Sequence, residues 1–403
     1  MKFARIQLLA LISLSIVLLA QDDAHRKEKA HRLAHEYIIV DGHVDIPYRL
    51  HNRYEDISLR TARGDFDYVR AVEGGLDAPF MSIYIPANRE GNGAKALADT
   101  LIDMVYDFQK KWPDKYAVAT SVDAVRTQFA KSGLISLPMG MENGAPIEGK
   151  LENVKYFHNR GIRYITLTHS KDNHICDSSY DTTRTWKGLS PFGQTLITEM
   201  NRAGIMVDVS HISDDAFYQV MEIAKAPVIA SHSSCRYFTP GFERNMSDDM
   251  IKRLAANGGV IMINFGSSFL SKHYLDKEDV VRDEIRAYRQ KNSLSFGDPE
   301  LDEFIAKVRE KHDFRNVDIS VVADHIDHVV KLVGVDNVGL GSDFDGVGPS
   351  LPVGLEDASK YPNLIYLLLK RGYSDEDIRK ICGENALRVW SKVEEVARMT
   401  GMK

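Results

Sequence analysis

The feature that most constrains the fold is a repeated alternation of short apolar runs with longer segments of helical period. Each apolar run is rich in β-branched residues, and each is followed by apolar residues spaced for one face of a helix. Parallel strands joined by crossover helices produce this order, and eight such units suffice to close a barrel. The sequence therefore predicts an α/β fold, a (β/α)8 TIM barrel. The predicted strands cover residues 38–44, 79–85, 134–141, 161–168, 205–210, 226–231, 258–265 and 337–342.

Helical periodicity fills the intervals between these strands, and no linker or internal repeat divides the chain. A length of 403 residues would allow two or three domains, but barrels with insertions reach this length as one domain. We therefore predict one catalytic barrel over residues 21–403, with a charged helical insertion near 271–314. The other predicted helices cover residues 22–37, 95–111, 121–131, 151–159, 191–203, 214–224, 247–256, 319–333, 361–371 and 375–398.

The first twenty residues have the layout of a signal peptide. Lys2 and Arg5 form a basic start, and residues 6–20 are almost entirely apolar. This stretch is too short for a comfortable membrane span, and Gln21 stands where a lipoprotein signal would need Cys. We therefore predict export, with cleavage after residue 20 or retention as an N-terminal anchor both left open.

Charge and cysteine content exclude several classes of function. The chain has 51 Lys and Arg against 57 Asp and Glu, a net charge of -6, and no basic block, so nucleic acid is not an expected partner. The three cysteines show no CxxC spacing, which excludes a disulfide scaffold and a thiolate zinc cage, although one pair could still form.

Histidines and carboxylates follow the predicted strands at the end where TIM barrels carry their active sites. The first strand ends in a His-x-Asp pair, whose side chains point to the same face because alternate residues of an extended chain do so. Three consecutive strands end on histidine, and chance repetition at this position is improbable. The residues are His43 and Asp45 after the first strand, Glu142 after the third, His169, His211 and His232 after the fourth to sixth, and Asp343 after the eighth.

Imidazole and carboxylate without thiolate form the typical ligand set of a catalytic metal site. Several candidate ligands, with Glu142 able to bridge, predict two divalent ions and a bridging water that loses its proton near neutral pH. Asp343 could take and return that proton, and His169 could polarise a substrate carbonyl. The residues alone therefore predict an exported metallohydrolase.

Two further histidines, His325 and His328, lie three residues apart on a predicted helix. We expect them to have a surface or interface role rather than to form a second metal site.

Longer motifs follow one another along nearly the whole mature chain. They include DGHVDIP at 41–47, GIRYITLTHSKDN at 161–173, AGIMVDVSHIS at 203–213, APVIASHSS at 226–234 and DHIDHVVKLVGVDNVGLGSDFDGV at 324–347. In these stretches the chain resembles the membrane dipeptidase (renal dipeptidase) family, peptidase family M19, a group of amidohydrolase-like, metal-dependent barrel hydrolases.

The resemblance implies a role for each candidate residue. One zinc would be bound by His43 and Asp45 and the other by His211 and His232, with Glu142 and a water or hydroxide bridging the two ions. The family pattern further implies substrate contacts from His169, Arg244 and Asn245, with Arg244 on the C-terminal carboxylate of a dipeptide and Asp343 handling the proton. A guanidinium suits the binding of a C-terminal carboxylate because its planar fork of N–H donors matches the two carboxylate oxygens.

The resemblance predicts a zinc-dependent dipeptidase acting on L-L and L-D dipeptides, with β-lactam rings as substrates of some members. Two alternatives stay open: a related hydrolase of N-acyl amino acids or lactones, and a non-catalytic exported binding protein. A homodimer is also open. Residues 400–403 lack the hydrophobic tail of a glycolipid-anchored protein, so the expected location is a bacterial periplasm or cell envelope. The chain departs from the family at Asn143–Pro146 and at Phe269, where some members have Tyr.

Overall fold

Eight parallel strands form a closed barrel at the centre of the computed structural model, which describes residues 21–131, 133–294 and 298–401. The described residues form ten strands in all, of which β3 and β4 lie outside the barrel. They are β1 (Ile39–Val44), β2 (Leu76–Tyr84), β3 (Tyr116–Val118), β4 (Ile135–Leu137), β5 (Met139–Glu142), β6 (Ile162–Thr166), β7 (Met206–Asp208), β8 (Ile229–Ala230), β9 (Val260–Ile263) and β10 (Val338–Leu340). Around the barrel the order is β1, β10, β9, β8, β7, β6, β5 and β2, and pairing of Asp41 with Leu340 closes the ring. The predicted TIM barrel is confirmed.

Helices surround the barrel, and several begin at a serine whose side chain accepts a hydrogen bond from a backbone N–H of the first turn, as at Ser190, Ser213 and Ser247. None of the described helices is long and apolar enough to cross a membrane. The helices are α1 (21–36), α2 (Ile46–Asn52), α3 (Tyr68–Gly74), α4 (Ala94–Lys111), α5 (Val122–Phe129), α6 (Glu152–Asn159), α7 (Pro191–Ala203), α8 (Asp214–Ile223), α9 (Asp248–Ala256), α10 (Ser267–Leu270), α11 (Lys272–Asn292), α12 (Pro299–Lys311), α13 (Ile319–Val333), α14 (Tyr361–Lys370), α15 (Asp375–Arg379) and α16 (Asn385–Thr400).

The predicted third strand, residues 134–141, is two strands in the structure. Pro138 separates β4 from β5, and only β5 belongs to the barrel. Strand β4 pairs with β3 in a small parallel sheet outside the barrel. Proline has no backbone N–H to donate, so it interrupts a ladder. Strand β3 has three residues and was not predicted, because so short a run carries no measurable period.

The segment predicted as an insertion contains α11 and α12, which lie between β9 and β10 in the chain. The two helices share a small apolar cluster of their own, formed by Tyr274, Val281, Val308 and Phe314. The signal segment, residues 1–20, lies outside the described residues. All three cysteines are buried and free, so the pairing left open by the sequence does not form.

Gly140 in β5 allows the ring of Tyr164 to pass across the barrel interior. A Cβ atom at this position would lie 1.9 Å from Cζ of Tyr164. The ring cannot retreat, since Tyr164 is fully buried and packs against Phe80. The close approach therefore needs glycine.

We expect Gly140→Ala to lower the free energy of unfolding by about 1–3 kcal/mol, the usual effect of overpacking a core. Gly339→Ala in β10 is the matched control, because its Cβ would come no closer than 3.3 Å to the Met262 side chain and 3.6 Å to that of Val260. Denaturant unfolding of both variants measures the difference. Equal stability of the two would contradict the close packing described for Gly140.

Candidate active site

The carboxylate of Glu142, at the end of β5, lies at the centre of a group of imidazoles. Its Oε1 is 3.0 Å from Nε2 of His211 and 3.3 Å from Nε2 of His232, and its Oε2 is 3.4 Å from Nε2 of His43. His169 lies slightly further away, with Nε2 3.8 Å from Oε1. The structure therefore brings together side chains from β1, β5, β6, β7 and β8 at the carboxyl end of the barrel.

The cluster offers overlapping groups of atoms that could hold a metal ion. Within each group the ligand atoms lie within 4.8 Å of one another. The Nε2 atoms of His211 and His232 are 2.9 Å apart, so one ion could also contact both. The groups are His43 with Glu142 and His232, Glu142 with His169 and His211, and His43 with Asp45 and Asp343.

Several ligand atoms of this cluster are buried without a hydrogen-bond partner among the described residues. They include Nε2 of His43, which faces Glu142, and Oδ1 of Asp45. Leaving a buried polar atom unsatisfied costs about 1–3 kcal/mol, which a bound ion would offset. Because the donors are imidazole nitrogens and carboxylate oxygens, the residues fit a divalent metal.

Hydrogen bonds behind two of the imidazoles direct their Nε2 atoms toward the centre. Nδ1 of His43 lies 2.8 Å from the Tyr164 hydroxyl, and Nδ1 of His232 lies 2.7 Å from Oγ of Ser231. Ser231 in turn donates to Asp208 over 2.6 Å. Such partners orient metal-binding histidines. No role was predicted for Tyr164 or Asp208, although both lie within quoted motifs, because one polar residue inside an apolar strand does not indicate its partner.

The pKa values of Glu142, His211 and His232 lie well below their ordinary values. Burial acts to raise the pKa of Glu142, but the imidazoles of His43 and His169 hold it well below its ordinary value. Burial lowers the pKa of His211 and of His232 well below the ordinary value. These two rings are therefore neutral and keep the lone pairs that a metal needs.

Asp343 lies beside the cluster in a strained backbone conformation. Its φ is 61°, and Asn264 donates a hydrogen bond of 2.8 Å to its Oδ2. Burial, opposed by His43 and reinforced by the charges of Asp45 and Glu142, raises the pKa of Asp343 to about 7. A carboxyl group with this pKa can exchange a proton near neutral pH.

Gly346 closes the turn that carries Asp343. A Cβ there would lie 2.2 Å from both Asp343 Oδ1 and Asp45 Oδ2, so the site needs glycine. The positive φ values of His211 (71°) and Asp343 (61°) place backbone strain at this centre.

The loop after β8 holds Arg244 and Asn245 in buried positions. Arg244 donates to Oγ of Ser233 over 2.7 Å and to the carbonyl of His232 over 2.9 Å, while its Nε has no partner among the described residues. Asn245 is fully buried, and its amide bonds to Thr239, Phe269 and Ser234. The structure therefore places Asn245 beside Arg244 with its amide hydrogen-bonded to the protein, and its expected contact with the substrate stays a prediction.

A chamber of about 1200 Å³ opens over the centre. Asp45, Glu142, His169, His211 and Asp343 form its floor. The wall includes Tyr180 from the loop after β6, whose ring lies 6.0 Å from the ring of His211, and residues of α11. Neither wall element was identified from the sequence, because a loop tyrosine and a charged helix are ordinary surface features.

A surface or interface role was expected for His325. The surface position is wrong, because His325 is completely buried. Its Nδ1 accepts from the backbone N–H of Cys235 at 3.1 Å, and its Nε2 donates to the carbonyl of Leu270 at 3.1 Å. Burial lowers the pKa of His325 to about 3. Its neighbour His328 is part-buried and lies 2.8 Å from Asp248. His325 thus ties α13 to the loop that carries Arg244.

A closed barrel with histidines and carboxylates at the carboxyl ends of its strands defines a metal-dependent hydrolase. The chain belongs to the membrane dipeptidase family (peptidase family M19), whose sequence model matches residues 27–403. The chain is therefore a metallo-dipeptidase, which confirms the predicted family and enzyme class.

Named relatives agree with this assignment. Two uncharacterised dipeptidases of the yeast Schizosaccharomyces pombe are 32% and 33% identical, over 92% and 91% of this chain and 84% and 82% of their own lengths. The crystal structure of the probable dipeptidase PvdM from Pseudomonas aeruginosa matches with a TM-score of 0.78 and 26% identity, over 93% of this chain and 100% of that one.

The stability contributed by His325 should depend on pH. Because its pKa is about 3 in the folded protein against an ordinary 6.5, the unfolded chain binds the proton first as pH falls below 6.5. The stabilisation is complete above pH 6.5 and is lost as pH falls toward 3, on the order of 5 kcal/mol in total.

The check is denaturant unfolding of the wild type and His325→Gln from pH 8 to pH 4.5. We expect the advantage of the wild type to narrow as pH falls, because only the wild type carries the buried imidazole. Thr239→Val is a buried, non-ionisable change in the loop that His325 contacts. Its difference in unfolding free energy from the wild type should not depend on pH. If the difference in unfolding free energy between the wild type and His325→Gln stayed constant with pH, the low pKa of His325 in the folded protein would be contradicted.

Proposed function

We propose that the protein is a zinc-dependent dipeptidase that hydrolyses L-L and L-D dipeptides at a centre of two zinc ions. The ions would be held by His43, Asp45, Glu142, His211 and His232, with Glu142 between them. The observation that carries this proposal is the buried Glu142 carboxylate with three imidazole Nε2 atoms within 3.4 Å. Glu142 is therefore the residue best placed to bridge.

When bound, divalent ions polarise the scissile carbonyl and lower the pKa of water. The protein's own residues position the substrate and move the proton. Asn264 donates a hydrogen bond to Oδ2 of Asp343. The other oxygen, Oδ1, therefore remains to hold a proton and deliver it to the leaving amine. His169 reaches the chamber, and burial lowers its pKa, so its neutral ring can donate a hydrogen bond to the carbonyl oxygen.

Arg244 is proposed to hold the C-terminal carboxylate of the dipeptide. Its guanidinium is fixed by Ser233 and by the backbone of His232, and it contributes to lowering the pKa of His211 and His169, so it lies close to the centre. A fixed guanidinium beside the centre would limit substrates to short peptides with a free C-terminus.

The cellular location proposed from residues 1–20 is the periplasm or cell envelope of a bacterium. The support for this proposal is the basic start and the apolar stretch that follows it.

A substrate panel tests the proposed function directly. The zinc-loaded protein should hydrolyse L-Ala-L-Ala and L-Ala-D-Ala and leave N-acetyl-L-Ala and acyl lactones nearly untouched. The opposite pattern would favour the hydrolase of N-acyl amino acids or lactones.

Glu142→Gln should reduce kcat/KM for L-Ala-L-Ala by at least about 100-fold and lower the zinc content below two ions per chain, because the amide is a weaker ligand and cannot bridge as a carboxylate does. Glu148→Gln is the matched control, since Glu148 is exposed in the loop after the same strand. Zinc is measured by elemental analysis of the purified variants. Full activity with two zinc ions in Glu142→Gln would overturn the bridging role.

Arg244→Lys should raise KM for L-Ala-L-Ala about tenfold or more, because a lysine cannot reproduce the bidentate contact. L-Ala-L-Ala amide, which lacks the carboxylate, is the internal comparison. The wild type should discriminate strongly against the amide, and the variant should do so much less. Equal discrimination in both proteins would exclude Arg244 from carboxylate recognition.

A further inference from the structure

The chamber is larger than a dipeptide needs. Its volume of about 1200 Å³ exceeds the roughly 300–1,000 Å³ typical of pockets for drug-sized ligands. A dipeptide over the floor would therefore leave the outer part of the chamber to its side chains. The residues that line this outer part can distinguish one side chain from another.

Two arginines of the chamber wall, Arg53 and Arg63, have guanidinium groups without a hydrogen-bond or ion-pair partner among the described residues. Most other arginines of the described chain are paired, including the two that share this wall. Arg49 contacts Glu55 at 2.6 Å and Asp345 at 3.3 Å, and Arg282 pairs with Asp279. Arg53 and Arg63 thus supply positive charge that no protein group neutralises by direct contact.

Arg49 fixes the backbone from which both side chains project. The backbone N–H of Arg53 donates to the carbonyl of Arg49 at 2.9 Å, and the Arg49 guanidinium donates to the carbonyl of Arg63 at 3.3 Å. A Cβ on Gly64 would lie 2.5 Å from Cζ of Arg49, so the chain passes tightly against this side chain. The guanidinium groups of Arg53 and Arg63 therefore project from a backbone segment that its contacts with Arg49 hold in place.

This segment lies across the barrel mouth from Arg244. Arg53 and Arg63 follow β1, whereas Arg244 follows β8, and β10 and β9 stand between those strands in the ring. A dipeptide with its C-terminal carboxylate at Arg244 and its peptide bond over Glu142 spans only about 7 Å in its backbone. Its N-terminal residue would then extend away from Arg244 into the chamber, which Arg53 and Arg63 line on the side of β1.

We propose that Arg53 and Arg63 form a subsite for an anionic side chain, which makes the enzyme prefer dipeptides with Asp or Glu as the N-terminal residue. This inference rests on the proposed dipeptidase function. Guanidinium groups bind carboxylates through charge-assisted hydrogen bonds, which are about twice as strong as neutral ones. Here they are specificity-determining residues, because they would contact the side chain and not the reacting atoms.

The test compares L-Glu-L-Ala with L-Gln-L-Ala, which has nearly the same shape and no side-chain charge. For the wild type we expect kcat/KM to be about tenfold higher for the glutamyl substrate, mainly through KM. The preference should shrink as salt rises from 0.05 M to 0.5 M, since salt screens exposed charges. In the double variant Arg53→Gln/Arg63→Gln the ratio should fall to near one.

Arg398→Gln is the matched control. Arg398 is also exposed and without a hydrogen bond or ion pair in the described part of the chain, but it lies on α16, outside the chamber. This variant should keep the wild-type ratio. The pair L-Ala-L-Glu and L-Ala-L-Gln tests whether the subsite takes the N-terminal or the C-terminal side chain. A larger preference for Glu over Gln in this pair would overturn the placement at the N-terminal residue.

The outcomes separate the two proposals. Hydrolysis of L-Ala-L-Ala with a wild-type ratio of one for glutamyl over glutaminyl substrate would overturn the subsite and leave the dipeptidase function standing. A ratio that survives in the double variant would also overturn it. Failure to hydrolyse any dipeptide in the panel would instead overturn the proposed function.

Discussion

The contact between one buried carboxylate and several imidazoles is the constraint on which the rest of the centre depends. Glu142 can stay ionised at this depth only because His43, His211 and His232 surround it, and those rings are held by hydrogen bonds such as the one from Tyr164 to His43. An unpaired buried charge would cost several kcal/mol, so ligand cluster and barrel packing stabilise one another.

The barrel and the cluster of candidate metal ligands could be predicted from the sequence because their signals are local. A strand has a period, and a histidine that directly follows a strand lies at the barrel mouth in any TIM barrel. The same reasoning failed where the decisive fact was a long-range contact. His325 was expected to have a surface or interface role, yet it lies on the buried face of α13, where Cys235 and Leu270, far away in the chain, hydrogen-bond to its ring.

The outer wall of the chamber illustrates the same limit on a larger scale. Arg53, Arg63 and Tyr180 lie on loops, where no periodicity indicates direction, and their relation to the centre depends on how the barrel closes. The substrate contact of Asn245 is implied by the family resemblance and stays a prediction, and the structure adds that its amide donates to Thr239 and to the carbonyl of Phe269.

The candidate ligands come from strand ends spread between His43 and His232, with Asp343 added by the last strand. A partly folded chain does not hold these strand ends together, so a metal ion would bind the closed barrel more tightly than the unfolded chain. Such an ion stabilises the native state in proportion to the logarithm of its free concentration. The supply of metal in the compartment where the enzyme works would then govern how long each molecule survives proteolysis, apart from any effect on turnover.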